Sequence, residues 1–226
     1  RSQYLEHSNP LFLTSSFVFE DAEDMRASFA EEKERNLYSR FSNPNTTEFV
    51  EKICKMEGAE SGYAFATGMA AIFSTFAALL NSGDQIVSAR SVFGSTHSLF
   101  TKYFPKWNIS TSYFKVNEID KIESLIQPNT KILYAESPTN PAVDIIDLEV
   151  LGKIAKKHNL LLIIDNCFAT PYLQQPIKYG ADLVIHSATK LIDGQGRVLG
   201  GVTVGKTELI QEIYLFSRNK NSFLVM

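Results

Sequence analysis

The chain has 226 residues, 44% of them hydrophobic, and a formal net charge of −3. That is enough apolar material for one large α/β domain or two small ones, and the charge balance excludes nucleic acid or an anionic membrane surface as the main partner. No apolar run approaches the roughly 20 residues of a membrane span, and no leader-like segment opens the chain.

The two cysteines, Cys54 and Cys167, are too few for a disulfide framework or a structural zinc site. His7, His97, His158 and His186 show no ligand spacing near them, so no metal is expected. These features imply a reducing, cytoplasmic setting. Arg1 in first place, rather than methionine, points to sequence that once preceded it.

Residues 1–45 lack a sustained period, and the segment is expected to be an arm with little core of its own. Asp21 is placed to cap a helix over Ala22–Glu34, and Tyr38-Ser39-Arg40-Phe41-Ser42-Asn43-Pro44 reads as extended chain and turn. From Thr46 a helical period runs to Met56, with Gly58 ending it. Strands then alternate with helices. The predicted strands are Gly62–Ala66, Gln85–Ala89, Ile109–Phe114, Lys131–Glu136, Leu160–Asp165, Leu183–His186 and Gly201–Val204. The predicted helices are Met69–Leu80, Thr96–Tyr103, Glu118–Ile126, Leu148–His158 and Thr207–Phe216. Apolar strands separated by helices imply an α/β fold, a mostly parallel seven-stranded sheet sandwiched by helices, over residues 46–226.

Ligands of such sheets gather at the carboxyl ends of the strands. Five strand ends carry chemistry there: Thr67-Gly68-Met69, Phe93, Ser137-Pro138-Thr139-Asn140-Pro141, Asp165, and Ser187-Ala188-Thr189-Lys190. Lys190 can form a Schiff base with an aldehyde, and Asp165 can hold a proton on a pyridine nitrogen. Ser187 and Thr189 can donate to a phosphate, as can the first amides of a helix opening at Gly68. The set suits pyridoxal phosphate. Each piece alone has a plainer reading as loop or core, and Cys167 is expected to be a packed, inert thiol.

A second class competes. Gly200-Gly201-Val202-Thr203-Val204-Gly205-Lys206-Thr207 matches G-x-x-x-x-G-K-[ST], the phosphate loop of nucleotide hydrolases. Val202-Thr203-Val204 are β-branched and prefer a strand, and the residues before Gly200 read as loop where that motif needs a strand. Gly194, Gly196 and Gly200 also fail to follow a strand and open a helix, as a dinucleotide fingerprint would.

Tyr38-Ser39-Arg40, Thr67-Gly68-Met69-Ala70-Ala71-Ile72, Glu136-Ser137-Pro138-Thr139-Asn140-Pro141, Asp165-Asn166-Cys167-Phe168-Ala169-Thr170-Pro171 and Ser187-Ala188-Thr189-Lys190 together resemble the Cys/Met-metabolism enzymes of pyridoxal phosphate fold type I. The resemblance runs from about Asn9 to Phe216. It implies a cofactor held covalently by Lys190, with Asp165 on its ring nitrogen, Phe93 stacked on the ring, and Gly68, Met69, Asn140, Ser187 and Thr189 around it. Tyr38 and Arg40 would reach the phosphate of a neighbouring subunit, with Tyr38 also near the chemistry, in a homotetramer built as a dimer of dimers. The substrate would be a small amino acid.

Phe93-Gly94-Ser95-Thr96 stands where most members have Tyr-Gly-Gly-Thr. Together with Asp193 to Gly200 it leans toward the branch acting on O-succinylhomoserine and sulfide, with cystathionine gamma-synthase, O-acetylhomoserine sulfhydrylase and cystathionine or methionine lyase as the alternatives within the family. The resemblance also implies a C-terminal substrate domain, which is expected to be absent from this chain. Asn219 to Met226 depart from the family pattern, which points to a truncated protein.

Overall fold

The structure is a computed structural model and describes residues 5–220. Residues 221–226, most of the stretch that departs from the family pattern, lie outside it, as do residues 1–4. Seven strands form one sheet: β1 (Ser61–Phe65), β2 (Gln85–Ala89), β3 (Ser110–Phe114), β4 (Thr130–Glu136), β5 (Leu161–Asp165), β6 (Leu183–His186) and β7 (Gly201–Gly205). Their order across the sheet is β1-β7-β6-β5-β4-β2-β3. Every neighbouring pair from β6 to β3 is parallel, and β7 runs antiparallel to both β6 and β1. The fold is therefore the mostly parallel α/β sheet the sequence implies. Leu133, Tyr134, Ile163, Ile164, Val184 and Ile185 are fully buried at consecutive positions, as strands covered on both faces must be.

Eight helices accompany the sheet among the described residues: α1 (Ala22–Phe29), α2 (Pro44–Glu57), α3 (Gly68–Leu79), α4 (Gly94–Ser98), α5 (Ile122–Leu125), α6 (Leu148–His158), α7 (Thr170–Leu173) and α8 (Thr207–Lys220). Their ends follow from local chemistry. Asn43 caps α2 by accepting from the Asn45 N–H, Pro44 occupies the first turn where no donor is needed, and Gly58 closes the helix with φ 74°. Asp147 caps α6 through the Val150 N–H, and Asn159 ends it in the left-handed region.

Three predicted helices differ. The first ends at Phe29, not Glu34, because Lys33 and Arg35 fold back onto the Asp24 carboxylate and Glu31 takes φ 61°. The segment from Glu118 to Ile126 is a 3-10 turn and the single turn α5. Neither carries a side-chain cap, and Pro128 disfavours helix just before it. The helix predicted from Thr96 starts at Gly94 and widens to a π-turn over Leu99–Tyr103. It ends in a 3-10 turn over Phe104–Trp107, where Pro105 offers no N–H to an α-helical ladder. Phe76 of α3, Phe100 of that π-turn and Tyr134 of β4 meet edge to face, with centroids 4.9 to 5.6 Å apart. This cluster ties the connection after β2 to the centre of the sheet.

The arm packs through polar contacts against α2. The Phe12 N–H donates to Asn45 Oδ1 (2.8 Å), and Asn43 Nδ2 donates to the Phe12 carbonyl (3.0 Å). One isolated bridge, Ser16 to Tyr38, is its only β pairing among the described residues.

Gly200 to Thr207 forms no phosphate loop. Gly201 to Gly205 is a paired strand, and Lys206 lies on the surface in an ion pair with Asp182 (2.6 Å). A Cβ at Gly201 would sit 2.1 Å from the Thr67 carbonyl, so glycine stands there for close approach to β1's exit. Lys206→Ala should change stability by no more than about 1 kcal/mol and leave pyridoxal phosphate binding unaltered. Parallel titrations with pyridoxal phosphate and magnesium ATP check this. Lysine-dependent ATP binding would contradict it.

Candidate active site

Because β1, β4, β5 and β6 run the same way, their carboxyl ends share one edge. They open into a cleft of about 390 Å³. Eight predicted residues line it: Gly68, Met69, Phe93, Asn140, Asp165, Ser187, Thr189 and Lys190. They come from five separate stretches of chain.

Asp165 ends β5 and is only 6% exposed. Its Oδ1 accepts the Cys167 N–H at 3.1 Å, and Oδ2 is approached by the Tyr134 hydroxyl at 3.5 Å. Burial pushes its carboxyl up to about 6, against the Cys167 N–H, the charge of His186 and the Tyr134 hydroxyl, which favour ionisation. Lys190 follows β6 in a turn closed by its own N–H to the Ser187 carbonyl (3.1 Å) and by the Gly194 N–H to the Lys190 carbonyl (2.9 Å). The turn leaves the side chain on the exposed rim.

Thr67 caps α3 by accepting from the Ala70 N–H (3.0 Å), so Gly68 and Met69 supply first-turn amides that the helix itself cannot satisfy. A Cβ on Gly68 would meet Ser187 Cβ at 2.6 Å and Oγ at 2.9 Å. Glycine therefore lets the Ser187 hydroxyl lie against the helix N-terminus, where an anion would be held. The Thr189 hydroxyl is engaged otherwise. It donates to the Gly200 carbonyl (3.2 Å) and accepts the Gly200 N–H (3.0 Å), pinning the loop after Lys190 to the start of β7.

Tyr38 and Arg40 do not reach this cleft within the chain. Arg40 Nη1 donates to the Arg218 carbonyl (2.9 Å), its guanidinium lies 5.2 Å from the Tyr38 ring, and it borders a separate depression beside Tyr63.

The sequence reading assigned no role to Glu136. It ends β4 at 2% exposure, lines the cleft and accepts the Phe93 N–H at 2.7 Å through Oε2. Burial, then the neighbouring Asp165 charge, push it up to about 8. Its sequence signal was an acid closing an otherwise apolar strand. Cys167 is buried beside Asp165, and burial pushes its thiol up to about 12, which leaves it protonated and unreactive at neutral pH.

A buried carboxylate with an open oxygen, a rim lysine, an aromatic over the cleft and a hydroxyl against a helix N-terminus fit one group with a pyridine nitrogen, an aldehyde and a phosphate. The comparisons agree. A family model for Cys/Met metabolism PLP-dependent enzymes matches residues 1–224. An O-succinylhomoserine sulfhydrylase of Pseudomonas aeruginosa is 49% identical over 213 residues, covering 94% of this chain and 53% of the relative. An L-methionine gamma-lyase of Fusobacterium nucleatum is 38% identical over 205 residues, covering 90% and 52%. Among solved structures, an O-acetylhomoserine (thiol)-lyase of Campylobacter jejuni superposes with a TM-score of 0.87 at 34% identity, over 93% of this chain and 52% of that one. That protein carries N'-pyridoxyl-lysine-5'-monophosphate.

The chain belongs to the Cys/Met-metabolism family of pyridoxal phosphate-dependent enzymes. It spans about half the length of the curated relatives it matches. Among its described residues no helix is long and apolar enough to cross a membrane.

The raised Glu136 carboxyl has a consequence for stability. Between its ordinary 4.5 and about 8, the folded protein holds a proton there that the unfolded chain has released. This share of stability is present at low pH and lost as pH rises through about 8. The melting temperature of cofactor-free protein should therefore fall between about pH 5 and pH 9, and fall less in Glu136→Gln. Thermal scans across that range check it, and parallel curves for the two proteins would rule it out.

Proposed function

We propose that this chain is the cofactor-binding portion of an enzyme that replaces the γ-substituent of an activated homoserine ester, taking O-succinylhomoserine and sulfide to homocysteine and succinate. One observation carries the choice within the family: the aromatic residue over the cleft is Phe93, which has a face but no hydroxyl. A carboxylate leaving group, with a pKa of about 4, departs without a proton. A thiolate, with a pKa of about 8.5 or above, departs far more easily with one. A cleft with no acid at this position favours the ester. The 49% identity to an O-succinylhomoserine sulfhydrylase supports the same choice.

Pyridoxal phosphate, when bound, supplies a conjugated electron sink for charge developing on the substrate carbons. Lys190 holds it covalently at rest, and its freed amine then moves protons at Cα and Cβ. Asp165 holds the proton on the pyridine nitrogen. Its burial makes that pairing strong, because no water screens the carboxylate. Ser187 and the amides of Gly68 and Met69 hold the phosphate. Glu136 holds the backbone of Phe93 in place for stacking. Asn140, which also lines the cleft, would contact the cofactor.

Full-length protein should turn over O-succinylhomoserine with sulfide faster than it eliminates methionine. Lys190→Ala should lose the borohydride-trappable cofactor and at least about a thousandfold in rate. Phe93→Tyr should raise methionine elimination relative to replacement, and an unchanged ratio would count against the leaving-group argument.

Tyr38 and Arg40 are assigned to the site of a neighbouring subunit in a homotetramer, since in their own chain they lie away from Lys190. Arg40→Ala and Lys190→Ala subunits, each inactive alone, should regain part of the activity on subunit exchange. No recovery would place Arg40 outside the site.

A further inference from the structure

Beneath the cleft lies a polar network that the proposed chemistry does not use. Glu57 is the last residue of α2 and His186 the last of β6, and both are fully buried. Glu57 Oε1 accepts from His186 Nε2 at 2.7 Å and from Asn166 Nδ2 at 2.9 Å. Asn166 also donates to the Gln174 carbonyl (2.8 Å) and accepts from Gln174 Nε2 (2.9 Å). Gln174 Nε2 reaches on to the Ser137 carbonyl at 2.8 Å. One carboxylate oxygen thus joins the residue before Ser187-Ala188-Thr189-Lys190 to the residue after Asp165. Through Gln174 it also reaches the residue after Glu136.

Stability alone does not account for this arrangement. Glu57 Oε2 and His186 Nδ1 are buried with no hydrogen-bond partner. Each such atom costs free energy, and an apolar pair of similar volume would pack there at no loss. What an apolar pair could not do is set a hydrogen-bonded distance between two strand ends.

We propose that Glu57 and His186 are a positioning pair. They fix the separation of Lys190 from Asp165, and so the tilt of the cofactor held between them. The inference rests on the pyridoxal phosphate reading of the cleft.

The test compares two neutral amides that differ by one methylene. In His186→Gln the amide can reach Glu57, and in His186→Asn it is too short. Full-length holoenzyme of each is measured for the circular dichroism of the visible cofactor band, for the rate of cofactor loss, and for thermal unfolding with the cofactor removed. His186→Asn should change the dichroism and speed cofactor loss about tenfold, whereas His186→Gln should stay within about twofold of wild type. Glu57→Gln, which keeps an acceptor oxygen, should behave like His186→Gln, and Glu57→Leu like His186→Asn. Equal dichroism and retention in all four variants would overturn the proposal, as would a fall in melting temperature with no spectral change. If Glu57→Leu does not fold, the two His186 variants decide the matter alone. Wild-type protein with no cofactor band would overturn the cofactor reading itself, and this inference with it.

Discussion

The Asp165 carboxyl sits where water solvates it poorly, and the proposed chemistry needs it ionised there. Burial raises its carboxyl, and what offsets this within the chain is modest: one N–H from Cys167, a distant hydroxyl from Tyr134 and the field of His186. An ionised carboxylate so placed is stabilised most by a cation directly against it. A protonated pyridine nitrogen would be such a cation, which is the role proposed for the cofactor's ring here. The surrounding elements keep this carboxylate dry and facing the cleft. β4 and β6 flank its strand, Tyr134 is fully buried beside it, and the turn after β6 brings Lys190 to the same cleft.

Two carboxyl groups share the cleft, and they serve different ends. Glu136 feels burial and the charge of Asp165, so near neutral pH it holds a proton while Asp165 ionises more readily. A pair of acids pushed apart in this way suits a division of labour, one for charge and the other for hydrogen bonding. Glu136 spends its bond on the Phe93 backbone, which sets the aromatic face without adding a second negative charge beside the first.

The reversed strand β7 completes the cleft from the other side. Being antiparallel, it presents its first residue, not its last, at the working edge, opposite Phe65 of β1 and beside the Thr67 carbonyl. Gly200 is then within reach of the Thr189 hydroxyl. A motif that reads as a nucleotide loop is in fact a strand whose glycines allow three chain segments to meet. Val202 and Val204 are fully buried, the setting in which β-branched residues favour a strand.

Much of this was legible in the amino-acid order. The run Leu161 to Asp165 is too apolar for anything but a buried strand, and its terminal acid marks the ligand edge. Asn43, Pro44 and Gly58 punctuate α2 through their own backbone chemistry, whatever packs around them. Those signals are local, so sequence determines them. Other features depend on groups far apart in the chain. α1 ends earlier than its local sequence implies because Lys33 and Arg35 return to Asp24. The proton of Thr189 goes to Gly200 because β7 is reversed. Glu57, His186 and Asn166 are separated by more than a hundred residues at the widest, and they share one oxygen only because α2 ends beneath β5 and β6. Residue type and spacing along the chain determined which chemistry was available. Which atoms use it was decided by tertiary packing, because a hydrogen bond depends on distance in space and not on separation in sequence.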